Sequence, residues 1–134
     1  MVIENLSYAL VQVAHNFGAA GAVAIPLSAL AAGQAWSGRQ RQLLWLVLLA
    51  WGIQALSGSG FGAVSYFFYG RFPDLTLIAT TALTVKILCT ILGLALAGFS
   101  LRSRDAGFYP RHWQGLAGLG IVALTAAAFL RWFS

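Results

Sequence analysis

The chain has 134 residues, of which 60% are hydrophobic and 8% charged, and its formal net charge is +5. A soluble domain carries about 25% charged residues, so this composition leaves too little polar surface for a water-soluble enzyme, and it is far too apolar for intrinsic disorder. A single cysteine excludes an internal disulfide framework and any cysteine cluster for zinc or iron–sulfur ligation.

With a mean hydropathy of +0.80, the expected class is an all-α integral membrane protein. The sequence pI of about 10.2 would point to nucleic acid in a soluble chain. Here the arginines sit in short clusters between long apolar runs, with no basic stripe, so the charge reads as membrane topology and no nucleic-acid partner is expected.

A membrane helix needs about 20 mostly apolar residues to cross about 30 Å of hydrocarbon. The first stretch that qualifies is 6–32. Its leading MVIENLSY carries Glu4 and no Lys or Arg, unlike the basic start of a signal peptide, so it is expected as a retained helix. Pro26 is expected to kink it and to free the carbonyl of Ala22. The separator 33–42 holds Trp36, Gly38, Arg39 and Arg41.

The second span is expected over 43–69. Its SGSGFG run at 57–62 lacks the Lys-Ser/Thr ending of a phosphate loop. It reads as close helix packing or local unwinding, and broken helices are where transporters place substrates. Trp51 lies too deep for an interfacial belt and is expected to pack or to face lipid. GRFPD at 70–74 forms a turn, with Pro73 ending one helix and Asp74 placed to cap the next.

The third span is expected over 75–99. The separator 101–112 holds Arg102, Arg104, Asp105, Gly107, Pro110 and Arg111, and the fourth span runs over 113–133. Runs such as LLWLVLLAWGI do not alternate as β-barrel strands do. Residues 1–134 therefore form one domain, expected as an antiparallel bundle of four transmembrane helices.

The loops 33–42 and 101–112 carry Arg39, Arg41, Arg102, Arg104 and Arg111, whereas the opposite side holds Arg71 and Arg131 against Glu4 and Asp74. The positive-inside rule places those two loops in the cytoplasm and both termini on the non-cytoplasmic side. The expected location is a bacterial inner membrane, or an organelle membrane of bacterial descent.

The candidate functional residues are polar groups near the middle of the spans. Lys86 lies about 16 Å into the third span and His15 about 14 Å into the first, counting the helix rise. Since both helices run the same way, the two share a depth, and Gln54 and Thr125 fall near the same plane. A charge there costs about 2.5–3.5 kcal/mol on insertion scales, and Glu4, Asp74 and Asp105 all lie near surfaces. Lys86 must shed its proton, line a wet cavity, or meet an anion from another subunit, a cofactor or a substrate.

Helical spacing predicts an inward stripe on each span. These are Tyr8, Gln12, His15, Ala19, Ala22, Pro26 and Ala29; then Ala50, Gln54, Ser57 and Phe61. The third is Ala79, Ala82, Lys86, Cys89, Gly93 and Ala97, and the fourth Gln114, Gly118, Ile121, Thr125 and Ala128. Small residues at this spacing let membrane helices approach closely. The binding candidates are His15, Lys86, Gln12 and Gln54. Ser57 and the threonines read as hydrogen-bonding links between helices, and Cys89 as packing. His15 and His112 differ in level by about 14 Å or more, so one chain cannot hold a bis-histidine haem between them.

The expected function is a non-catalytic accessory or anchor subunit of a larger membrane complex, respiratory or electron-transferring, contributing His15 and Lys86 to a quinone or haem b pocket shared with another subunit. The alternative is a small homo-oligomeric transporter or channel with an anion or proton path lined by Lys86, His15 and Gln54. Enzyme activity has weaker grounds, because His15 with Lys86 is the one midplane acid–base pair and no oriented nucleophile accompanies it. The expected partners are the lipid bilayer and other membrane subunits or further copies of this chain.

Overall fold

The computed structural model of the protein describes residues 1–103 and 109–134. Among the described residues all regular structure is helical. Helix α1 spans Val2–Ala32, a 3-10 segment covers Gly33–Arg39, α2 spans Gln40–Tyr69, α3 Leu77–Arg102 and α4 Pro110–Phe133. By length and composition three helical stretches could cross a membrane: 2–69, which comprises α1, the 3-10 segment and α2, then 77–102 and 110–133.

The helix ends differ from the sequence reading for local reasons. Helix α1 starts at Val2 because nothing in its first turns breaks it, and Glu4 in that first turn complements the positive helix terminus. The separator after α1 winds as a 3-10 segment. Gly33, at φ +53, leaves the α1 helix, and Trp36, with non-helical φ −107 and ψ 18, kinks the segment before α2 begins. Gly70 ends α2 in the left-handed conformation, its amide returning to the Tyr66 carbonyl at 2.8 Å.

Asp74 does not cap α3. Its carboxylate pairs with Arg71 at 3.4 Å, and Thr76 takes the cap position, its Oγ1 accepting the Ala79 amide at 3.2 Å. Helix α3 therefore starts two residues later than expected, at Leu77. Pro110 opens α4 at the position where a missing N–H costs nothing. The SGSGFG run is helical from end to end, so it offers no unwound binding loop.

Helices adjacent in the chain pack on each other, and α1 closes on α4, so that α1 and α3 face each other across a diagonal. Three of the expected stripes turn inward. Ala22, Pro26 and Ala29 are buried on α1; Ala50, Gln54 and Ser57 on α2; Ala79, Ala82, Cys89, Gly93 and Ala97 on α3. The fourth is corrected: Gln114, Gly118, Ile121, Thr125 and Ala128 are exposed, and α4 buries Trp113, Leu116, Ala117, Gly120, Ala123 and Ala126 instead. The reason is steric. Gly120 lets the α1 backbone come so close that a Cβ there would lie 2.8 Å from the Ala22 carbonyl oxygen, the same carbonyl that Pro26 deprives of its helical partner. Trp113 and Leu116 bury far more apolar area than the small polar stripe could.

The largest fully buried side chains are Trp51, Trp113, Leu116, Val47 and Pro26. All lie between the middle of the helices and the end that carries the 3-10 segment. Trp51 lies flat against α3 at Gly93, where any Cβ would collide with the indole ring. Its depth in the sequence thus reflects core packing and not exposure to lipid.

Candidate functional site

Helix packing brings His15, Lys86, Gln54 and Ser57 into one layer. His15 (8% exposed), Gln54 (7%) and Ser57 (7%) are buried, and Lys86 is half-buried. Lys86 reaches across the diagonal from α3, and its Nζ stands 2.6 Å from His15 Nε2. On the other side of the ring, His15 Nδ1 stands 2.7 Å from Ser57 Oγ. Ser57 Oγ in turn donates to the Ile53 carbonyl at 2.6 Å. Gln54 Nε2 donates to the His15 carbonyl, and the edge of the imidazole meets the Phe61 ring with centroids 5.5 Å apart.

The donor and acceptor inventory orders this series. An ammonium has donors only, so a charged Lys86 donates to Nε2. The ring proton then sits on Nδ1 and donates to Ser57 Oγ, whose own proton goes to Ile53. A neutral Lys86 permits the reverse: Nε2–H donates to the amine, and Nδ1 accepts from Ser57. The series can therefore hold its proton on the Lys86 amine or on His15 Nε2, the two groups that face each other, while Ser57 answers at Nδ1.

Local backbone explains why these residues meet. Gly18 lies one turn beyond His15, and a Cβ there would press within 2.9 Å of Gln54 Nε2 and Ile53 Cγ2. With glycine at that position α2 approaches α1 closely enough for Gln54 and Ser57 to reach the His15 backbone and ring.

Of the four candidate residues, three converge. Gln12 does not: it is exposed on α1 and donates to Asn16 at 2.7 Å, because its helical position turns it away from α2 and α3. Thr125, read at the same depth, is exposed and bonds back to the Ile121 carbonyl. Ser57, expected as a hydrogen-bonding link between helices, makes that link from α2 to the His15 ring on α1, and its place one turn beyond Gln54 on the same stripe is the signal for it. Lys86 meets a neutral base instead of an acid, and no carboxylate joins the layer among the described residues. Both ring nitrogens of His15 are engaged within the chain, so the arrangement does not suit an axial haem ligand, which needs one of them open.

Two other polar clusters lie nearer the 3-10 segment. Gln40 accepts from the Trp113 indole N–H and donates to the Trp36 carbonyl at 3.1 Å. Ser100 Oγ stands 3.1 Å from His112 Nδ1, whose ring lies against Tyr109. Between them and the midplane layer, the buried Trp51 indole N–H has no acceptor among the described residues. No group of three or more His, Cys, Asp or Glu side chains able to hold a metal occurs among the described residues. No protein-family model matches this chain, and neither a curated protein nor a solved structure is similar enough to count as a match.

Proposed function

We propose that this chain is an integral membrane protein that crosses the bilayer four times, with both termini on the non-cytoplasmic side. In this reading it serves as a subunit of a larger membrane assembly. Its working part is the Lys86–His15–Ser57 series, which holds a proton at midplane depth and passes it to a group supplied by a neighbouring subunit, such as a quinone whose reduction takes up protons. Haem ligation by His15 is not part of the proposal.

The observation that carries the reading is the hydrogen-bonded series itself. A lysine in hydrocarbon costs about 2.5–3.5 kcal/mol, and a hydrogen bond across membrane helices returns on average only about 0.6 kcal/mol. Packing alone does not account for keeping it. The transporter reading has less support, because Trp51, Val47 and Leu116 fill the interior towards the 3-10 segment and leave the series closed on that side within one chain.

Extraction from the native membrane in a mild detergent, followed by native mass spectrometry, tests the proposal. Co-migrating polypeptides or an added quinone mass support the subunit reading. A bare chain or a homo-oligomer overturns it, and proton flux into proteoliposomes then tests the transporter reading, which undiminished flux in Lys86→Met would remove.

A further inference from the structure

At the end that carries the 3-10 segment, α2 and α3 diverge to leave a groove of about 530 Å³. From α2 it is lined by Arg41, Trp45 and Leu48, and from α3 by Gly98, Leu101 and Arg102. The spacings i, i+4, i+7 and i, i+3, i+4 place each set on one helix face. The groove is graded. Two guanidiniums stand at its mouth, the Trp45 indole lies one turn deeper and 57% exposed, and Leu48 lies deeper still. Gly98 leaves the floor open, since a Cβ there would meet no atom within 4 Å.

Among the described residues no carboxylate lines the groove, and the one ion pair is Arg71–Asp74, at the opposite end. In the sequence, the stretches 33–42 and 101–112 hold five arginines against Asp105, so their summed charge is positive. Two like charges converging on one cleft above an aromatic and aliphatic wall match a single ligand chemistry: a phosphate joined to an apolar tail. Arginine forks recognise phosphate oxygens in pairs, and basic pockets between membrane helices on the cytoplasmic side bind anionic headgroups.

We propose that the Arg41–Arg102 groove binds the phosphate headgroup of an anionic phospholipid, with Trp45 and Leu48 against the start of its acyl chains. The proposal rests on the membrane-spanning reading, though not on the midplane relay.

The test uses the full chain in detergent micelles and native mass spectrometry, with dioleoyl phosphatidylglycerol and dioleoyl phosphatidylcholine in equal amounts. The expected preference for phosphatidylglycerol is about thirty-fold, the effect of two basic residues near a lipid surface. It should vanish in the double variant Arg41→Gln/Arg102→Gln and in Gly98→Leu, which fills the groove without altering charge. It should persist in Arg39→Gln/Arg111→Gln, which removes the same charge from the same end. Preference surviving both groove variants, or lost equally in the control, overturns the site. Displacement of the lipid by millimolar inorganic phosphate overturns the lipid as its source. Alkaline extraction of native membranes separates the two failures: release of the chain defeats the membrane reading, whereas retention with no lipid preference defeats the groove alone.

Discussion

The midplane layer divides the molecule into two halves that are held together differently. Towards the 3-10 segment the interior is filled by large side chains, Trp51, Trp113, Leu116 and Val47, with Trp51 seated against Gly93. Towards the termini the buried positions are small, Ser65, Ala79, Ala82 and Ala126, and closure comes from polar contacts near the helix ends. Tyr69 donates to Glu4, Ser65 to the Arg71 carbonyl and Thr76 to the Phe133 carbonyl. There, Phe67, Phe72, Leu77 and Trp132 remain exposed, and an apolar groove of about 520 Å³ runs between α3 and α4. One half is a packed core and the other is fastened at its rim. Dispersion over buried area is collectively large, while single exposed hydrogen bonds are small, so stability should concentrate in the first half.

The layer between the halves gives the largest expected effect. Lys86→Met should favour insertion of the α3 segment by about 2.5–3.5 kcal/mol, measured as its inserted fraction in microsomes, while under the proposed function it abolishes proton delivery. A gain in insertion together with a loss of activity is the mark of a residue kept for function. Unchanged insertion would mean that Lys86 does not lie at hydrocarbon depth.

Next comes Gly93→Ala, which drives a methyl group into the Trp51 ring and should cost about 1–3 kcal/mol, read as a lowered Tm in detergent. The compensating change Trp51→Leu in the same chain should restore much of the loss; a wild-type Tm for Gly93→Ala alone would show that the two helices are not in contact there. Gln40→Leu should cost about 1–2 kcal/mol, because it leaves the buried Trp113 indole N–H without its acceptor; Trp113→Phe in the Gln40→Leu background should recover part of that.

The smallest effect belongs to the rim. Tyr69→Phe removes the contact with Glu4 and should lower stability by about 0.5 kcal/mol, near the limit of a Tm measurement. Should Tyr69→Phe prove as damaging as Gly93→Ala, the contrast between a packed half and a fastened half would fail.

Much of the fold can be read from the chain because its causes are local. Apolar runs long enough for helices, Gly33 and Gly70 at their ends, and Pro110 at a helix start act within a few residues, and counting the helix rise already put His15 and Lys86 at one depth. The cap of α3 falls to Thr76 and not to Asp74, whose carboxylate pairs with Arg71 three residues earlier.

What the sequence determined by itself was therefore the helical class, the approximate extent of the helices, and the set of polar groups at one level. Tertiary structure alone decided their orientation and their partners. It turned α4 so that Gly120 and Trp113 face inward and the Gln114–Ala128 stripe outward, sent Gln12 to the surface, and joined Lys86 to Ser57 through His15. Rise along a helix accumulates from residue to residue and can be counted. Rotation about its axis depends on which neighbour can approach closest, and that is settled only when the side chains of all the packed helices compete for the same space.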